Sequence, residues 1–268
     1  MGKIGEKFDE ARNEGRVALI PFIMVGDPSP ESTVRIAKEL ARAGADMIEL
    51  GLCFSDPIAD GPTIQAASQR ALAAGVTPKV YFNVAEDIRA AVSVPLIALT
   101  YYNPVLRMGA SRFLRRCVKS GINGIIVPDL SIDEGSHLLR VARRYSVDTI
   151  FLAAPTSTHP RLKGIVEAST GFVYLVSVLG VTGARRQISD SIGSLVKRIK
   201  KIKGNIPVAV GFGVSSPSQV RKIGRIGADG AIVGSALIDI ISRESGDEER
   251  MLGKLSCFLK ALRYATKV

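Results

Sequence analysis

Eight apolar runs rich in Val, Ile and Leu recur along the chain at a nearly even pitch, and this repetition limits the fold more than any other feature. They are VALIPFIMV (17–25), MIELGL (47–52), PLIALTYY (95–102), GIIVPDL (124–130), DTIFLAAP (148–155), FVYLVSV (172–178), PVAVGFGV (207–214) and GAIVGSAL (230–237). Between them lie amphipathic, Lys/Arg-rich segments of helical length, such as PESTVRIAKELARAGA (30–45). Strands that are apolar throughout, alternating with helices, imply a parallel sheet covered on its faces. Eight such units predict one closed (β/α)₈ TIM barrel over 1–268, with an extra N-terminal helix. An open doubly wound sheet is the alternative, but no GxGxxG follows the first run.

Two spacings are longer than the rest. The starts at 47 and 95 are 48 residues apart, and those at 172 and 207 are 35 apart. Extra length in such a barrel is expected in the loops after strands, where barrel active sites lie. Long loops are therefore expected after the second and sixth strands, carrying SDPIADGPTIQ and LGVTGARRQISDS. Residues 239–268 read as a final helix after the polar turn SRESGDEER.

The second run holds a carboxylate. Strand alternation puts Ile48, Leu50 and Leu52 on one face, and Met47, Glu49 and Gly51 on the other. With the apolar face against the helices, Glu49 points into the barrel near its mouth. An acid buried without a cation beside it keeps its proton to higher pH, which suits a group that gives and takes protons near neutrality. Asp60 follows in the loop from the same strand, so the two carboxylates can meet at one pocket as an acid/base pair. Asp56 precedes a proline and reads equally well as a turn residue.

Glycines mark the other side of the barrel. GFGVSSP (211–217) and GAIVGSAL (230–237) each run from a strand end into a helix, and Gly183 sits in the long sixth loop. Gly213, Gly234 and Ser235 thus form a candidate phosphate cradle after strands 7 and 8. Phe22, Leu99, Tyr101, Tyr174, Phe212 and Ile232 are candidates for an apolar lining. No run contains a Lys to form a Schiff base. His137 and His159 are the only histidines, which leaves no metal triad.

The net charge of +11, from 36 Lys plus Arg against 25 Asp plus Glu, comes mostly from basic residues set singly in helix-like segments, and such a field can attract an anionic substrate such as a phosphate ester. The densest basic stretch, KRIKKIK (197–203), carries Ile199 and Ile202 at helical spacing and reads as a surface helix. It lacks the aromatics of a single-strand binder, so no nucleic-acid partner is expected. The apolar runs are too short to span a bilayer. The charged N-terminus is unlike a signal peptide, and Cys53, Cys117 and Cys257 are isolated thiols. A cytoplasmic protein is expected.

IELGLCFSDPIADGPTIQ resembles the signature of the tryptophan synthase alpha subunit family. PFIMVGDP, VPDL, YLVSVLGVTG, GFGVSSP and GAIVGSA are similar to its other motifs, in the same order over nearly the whole chain. The resemblance implies retro-aldol cleavage of indole-3-glycerol phosphate to indole and glyceraldehyde 3-phosphate. It implies Glu49 as the acid at the indole C3 and the base at the side-chain hydroxyl, and Asp60 on the ring N–H. Phe22, Leu99, Tyr101, Tyr174 and Ile232 would hold the indole and side chain. Gly183, Gly213, Gly234 and Ser235 would hold the phosphate, and Thr182 would belong to a loop closing over the substrate. The implied partner is a pyridoxal-phosphate beta subunit, in an alpha2-beta2 heterotetramer, facing Cys53, Asp56 and Asn103. No cofactor and no metal are implied in this chain. The family usually has Pro where Cys53 stands and often where Ser131 stands. The alternative role is a non-catalytic or weakly active barrel that mainly activates the beta partner.

Overall fold

The eight runs form eight parallel strands of a closed barrel in chain order, in a computed structural model that describes residues 2–176, 185–211 and 213–267, with side chains outside 185–190. The strands are β1 (Ala18–Met24), β2 (Ile48–Gly51), β3 (Leu96–Leu99), β4 (Ile122–Ile126), β5 (Asp148–Ala153), β6 (Val173–Val176), β7 (Val208–Gly211) and β8 (Gly230–Val233). Closure comes from β1 pairing with β8, Ala18 opposite Gly230 and Ile20 opposite Ile232.

Alternation along each strand splits the apolar residues into two cores. Ile20, Met47, Ile97, Ile126, Ile150 and Ala209 fill the barrel interior. Leu19, Ile48, Leu50, Leu96, Ala98 and Ile125 face the surrounding helices. The N-terminal helix Lys3–Asn13 plugs the interior from one end with Ile4, Phe8 and Ala11, and the Phe8 and Phe172 rings meet at 5.5 Å between centroids. Helix starts are set locally. Ser29, Thr77, Ser216 and Asp247 each accept a backbone N–H from the first turn of their helix. All but the last residue of KRIKKIK lie in the helix Arg185–Ile202, with Ile199 fully buried and Lys200 paired with Asp229.

Two expectations need correction. Part of the expected loop after β2 is helical: the PTIQ of SDPIADGPTIQ opens the helix Pro62–Ala73, a second helix Pro78–Ala91 follows, and 52–61 form the non-helical stretch before them. Pro62 and Pro78 stand first in these helices, where a missing N–H costs nothing. Much of the sixth gap is likewise the 18-residue helix Arg185–Ile202; residues 177–184 lie outside the described residues. At the C-terminus the expected order holds: a helix from the Gly234–Ser235 strand end (Ser235–Glu244), a polar turn, and the final helix Glu248–Tyr264.

The two ends of the chain are tied at the barrel's closed end by Asp46, which is 7% exposed. Its carboxylate accepts from Arg16 at 2.8 and 2.9 Å, from Arg263 at 3.0 and 3.3 Å, and from the Leu19 N–H at 2.8 Å. Removing it leaves the Arg16 guanidinium, whose side chain is 5% exposed, with the exposed Glu14 carboxylate in place of a buried bidentate partner. Asp46→Ala is expected to lower unfolding stability by about 3–5 kcal/mol, measured by urea denaturation. A loss under about 1 kcal/mol would mean the cluster is worth no more than a surface ion pair.

Candidate active site

Glu49 lies inside the barrel, as alternation requires. It is fully buried, and its β2 position lies between Phe22 of β1 and Ile97 of β3. Neither carboxyl oxygen has a hydrogen-bond partner among the described residues. Burial alone raises its pKa from 4.5 to about 8, so the group is mainly protonated at neutral pH.

Asp60 closes the loop that leaves β2. Burial raises its pKa from 3.8 to about 6, against the opposing pull of the Tyr101 hydroxyl. At pH 7 it is mainly ionised. Two carboxyl groups at one site thus hold opposite protonation states, set by the depth of each. Tyr174 lies near both: burial and the charges of Glu49 and Asp60 push its phenol well above the ordinary range.

Glu49 and Asp60 share a cavity of about 320 Å³. Its apolar wall includes Phe22, Leu99, Tyr174 and Ile232, and Gly213, Gly234 and Ser235 form part of its rim. Two glycines let the rings in. A Cβ on Gly51 would stand 2.7 Å from Phe22 Cζ, and one on Gly211 would overlap the Tyr174 ring. Gly213 has φ +73, a backbone that disfavours other residues. The helix Ser235–Glu244 begins at the cavity without a side-chain cap on Gly234, unlike the capped helix Pro217–Arg225 beside it. Uncapped N–H groups at a helix start favour an anion.

Other expected residues fall differently. Tyr101 is 2% exposed and does not line the cavity; it packs behind the loop instead. Thr182, Gly183 and Phe212 lie outside the described residues. Asp56 and Asn103 are exposed beside the cavity mouth. Cys53, expected on a contact face, is buried at 6% exposure, with its thiol directed at the Val76 carbonyl at 3.7 Å. Burial pushes that thiol up to about 11. Ser131 uses the hydroxyl that a proline would lack, accepting the Glu134 N–H at 3.4 Å and donating to its carboxylate at 2.8 Å.

Ile64, Ile126, Pro128 and Leu152 are wall residues that the sequence reading missed. Inward alternation along β4 and β5 marks Ile126 and Leu152. Ile64 sits on the helix Pro62–Ala73, where a loop was expected. Among the described residues, no three His, Cys, Asp or Glu side chains are grouped to hold a metal ion. No helix among them is long and apolar enough to cross a membrane.

The family model described as "Tryptophan synthase alpha chain" matches residues 8–267. A tryptophan synthase alpha chain of Methanosarcina acetivorans is 48% identical, covering 93% of this chain and 90% of the relative. A solved Mycobacterium tuberculosis tryptophan synthase superposes with a TM-score of 0.90 at 39% identity, covering 100% of this chain and 99% of that one. A chain of the Pyrococcus furiosus tryptophan synthase α2β2 complex does so with a TM-score of 0.85 at 40% identity, covering 93% and 99%. The chain's activity is the alpha reaction of tryptophan biosynthesis, a lyase step. A buried acid, a shallower carboxylate and a glycine rim around one barrel mouth therefore stand in a chain that belongs to the tryptophan synthase alpha chain family.

Proposed function

We propose that Glu49 and Asp60 divide the chemistry of the alpha reaction, read as retro-aldol cleavage of indole-3-glycerol phosphate. Protonated Glu49 gives its proton to the indole C3, and positive charge develops at the ring nitrogen. Ionised Asp60 accepts the ring N–H and stabilises that charge. The bond from C3 to the side-chain carbon then breaks, and its electron pair restores the aromatic ring. The hydroxyl on that carbon becomes the aldehyde of glyceraldehyde 3-phosphate, and its proton returns to Glu49. Phe22, Leu99, Tyr174 and Ile232 hold the ring. Gly213, Gly234 and Ser235 hold the phosphate, and the family resemblance adds Gly183 to them. The observation that carries this reading is the unpaired Glu49 carboxyl at the base of the same cavity that Asp60 borders.

Purified protein is expected to release indole from indole-3-glycerol phosphate. The kcat/KM profile is expected to be bell-shaped. It falls below about 6 as Asp60 takes a proton, and above about 8 as Glu49 loses one. A profile rising through pH 9 would contradict Glu49 as the acid. No indole release, even with a beta subunit present, would favour a purely activating role.

The partner in this reading is a pyridoxal-phosphate beta subunit in an alpha2-beta2 assembly, with no cofactor in this chain. Its docking face is supported by Ile58, 81% exposed beside Asp56, and Leu106, 64% exposed on the helix Tyr102–Met108 with Asn103. These segments follow adjacent strands at the cavity mouth, so a partner seated there can receive indole. Cys53 acts from beneath this face. Residues 1–268 form one domain in this reading, supported by β1–β8 closure and by the packing of Glu248–Tyr264 against Pro30–Arg42. The cytoplasm is its proposed location.

A further inference from the structure

The loop that presents Asp60 is anchored from behind by one phenol. Tyr101 is 2% exposed and stacks on Phe54 with 5.3 Å between centroids and 25° between planes. Its hydroxyl accepts the Ala59 N–H at 3.0 Å. Asp60 directly follows Ala59, so this bond holds the backbone that carries its carboxyl, and the nearby phenol favours the charged form. A phenol can do both, since a lone pair takes the amide and the O–H is left to donate. Other bonds of the loop hold backbone. The Ser68 hydroxyl accepts from the Phe54 N–H and donates to the Phe54 carbonyl, both at 2.9 Å. Gln65 donates to the Asp60 carbonyl at 2.9 Å, and the Asp60 N–H reaches the Pro57 carbonyl at 3.0 Å.

We propose that Tyr101 is a positioning residue for the alpha reaction: its hydroxyl fixes Ala59 and aims the Asp60 carboxylate at the ring nitrogen. This rests on the reading of Asp60 given above. It changes the sequence expectation, in which the Tyr101 ring held substrate. Tyr101 starts at the end of β3, while Asp60 leaves β2, so the bond to Ala59 also locks two neighbouring loops together at the cavity mouth. The other charged group facing Tyr101 is Asp129, whose carboxylate accepts the Tyr102 N–H at 2.9 and 3.1 Å. Asp60 also faces Tyr174, which in turn faces Glu49.

The test is the pH dependence of kcat/KM for indole release by Tyr101→Phe, which keeps the ring against Phe54. A loss of about tenfold at pH 7 is expected, the size of one or two hydrogen bonds. The acid limb is expected to move to higher pH, because Asp60 loses a donor to its charged form, while the alkaline limb stays in place. In an Asp60→Asn background, Tyr101→Phe is expected to cost less than threefold, because both act as a unit. Asp129→Asn is expected to leave the acid limb where it is. An unmoved acid limb in Tyr101→Phe, or a uniform loss of rate with both limbs unmoved, overturns the proposal. Should the phenylalanine variant fail to fold, 3-fluorotyrosine at position 101 keeps ring and hydroxyl. Its more acidic O–H is expected to move the acid limb to lower pH, and no movement overturns the proposal. If Asp60→Asn alone retains full activity, the reading of Asp60 has failed instead.

Discussion

Replacing Glu49 with Gln is expected to lower kcat by about 10²- to 10⁴-fold, the range general acid–base catalysis supplies. The amide has the same shape but no proton to give at C3. The fold should not suffer. The Glu49 carboxyl has no protein partner to lose among the described residues, and its burial opposes ionisation. Its folded pKa of about 8 lies above the ordinary 4.5, so the native state holds a proton that the unfolded chain has released. Between those values stability falls by about 1.4 kcal/mol per pH unit as pH rises. Gln removes that dependence. At pH 8 the variant is therefore expected to unfold at a higher urea concentration than the parent, with almost no activity. Loss of activity together with loss of stability would assign Glu49 a structural role.

Asp60→Asn is expected to lower kcat/KM by about 10²- to 10³-fold, the cost of removing one group aimed at developing charge. The Asn carbonyl still accepts the ring N–H but cannot balance a positive nitrogen. Two signatures separate this from a binding defect. The acid limb near pH 6 should vanish, because Asn does not titrate, and the alkaline limb near pH 8 should remain with Glu49. A rise in KM at unchanged kcat would reduce Asp60 to a substrate anchor. Steady-state kinetics from pH 5 to pH 9 distinguish the two.

Much of this site was legible because period-two alternation is a local rule. One Glu in the run MIELGL, read against its apolar neighbours, was enough to point Glu49 inward, and the register beside Phe22 agrees. The same rule holds for Ile126 and Leu152, which lie inward on β4 and β5 and line the cavity. What failed was inference across the gap after β2. Pro62, in the stretch SDPIADGPTIQ expected as a loop, is the first residue of a helix. Missing the helix Pro62–Ala73 meant missing Ile64. Tyr101 and Cys53 illustrate a different limit. Residues just past a strand can turn toward the cavity, toward the surface or beneath a loop. That choice depends on contacts such as Phe54 against Tyr101 and Val76 beside Cys53, far apart in the chain.

The most direct measurement of Glu49 as the C3 acid needs no carbon–carbon cleavage. Indole alone, incubated with the protein in D₂O near pH 7, should exchange its C3 hydrogen for deuterium, followed by proton NMR. The exchange should be faster than in buffer and should weaken above pH 8 with the ionisation of Glu49. It should fall to the buffer rate in Glu49→Gln while persisting at a reduced rate in Asp60→Asn. Catalysed exchange that survives Glu49→Gln would contradict the assignment of the proton to Glu49.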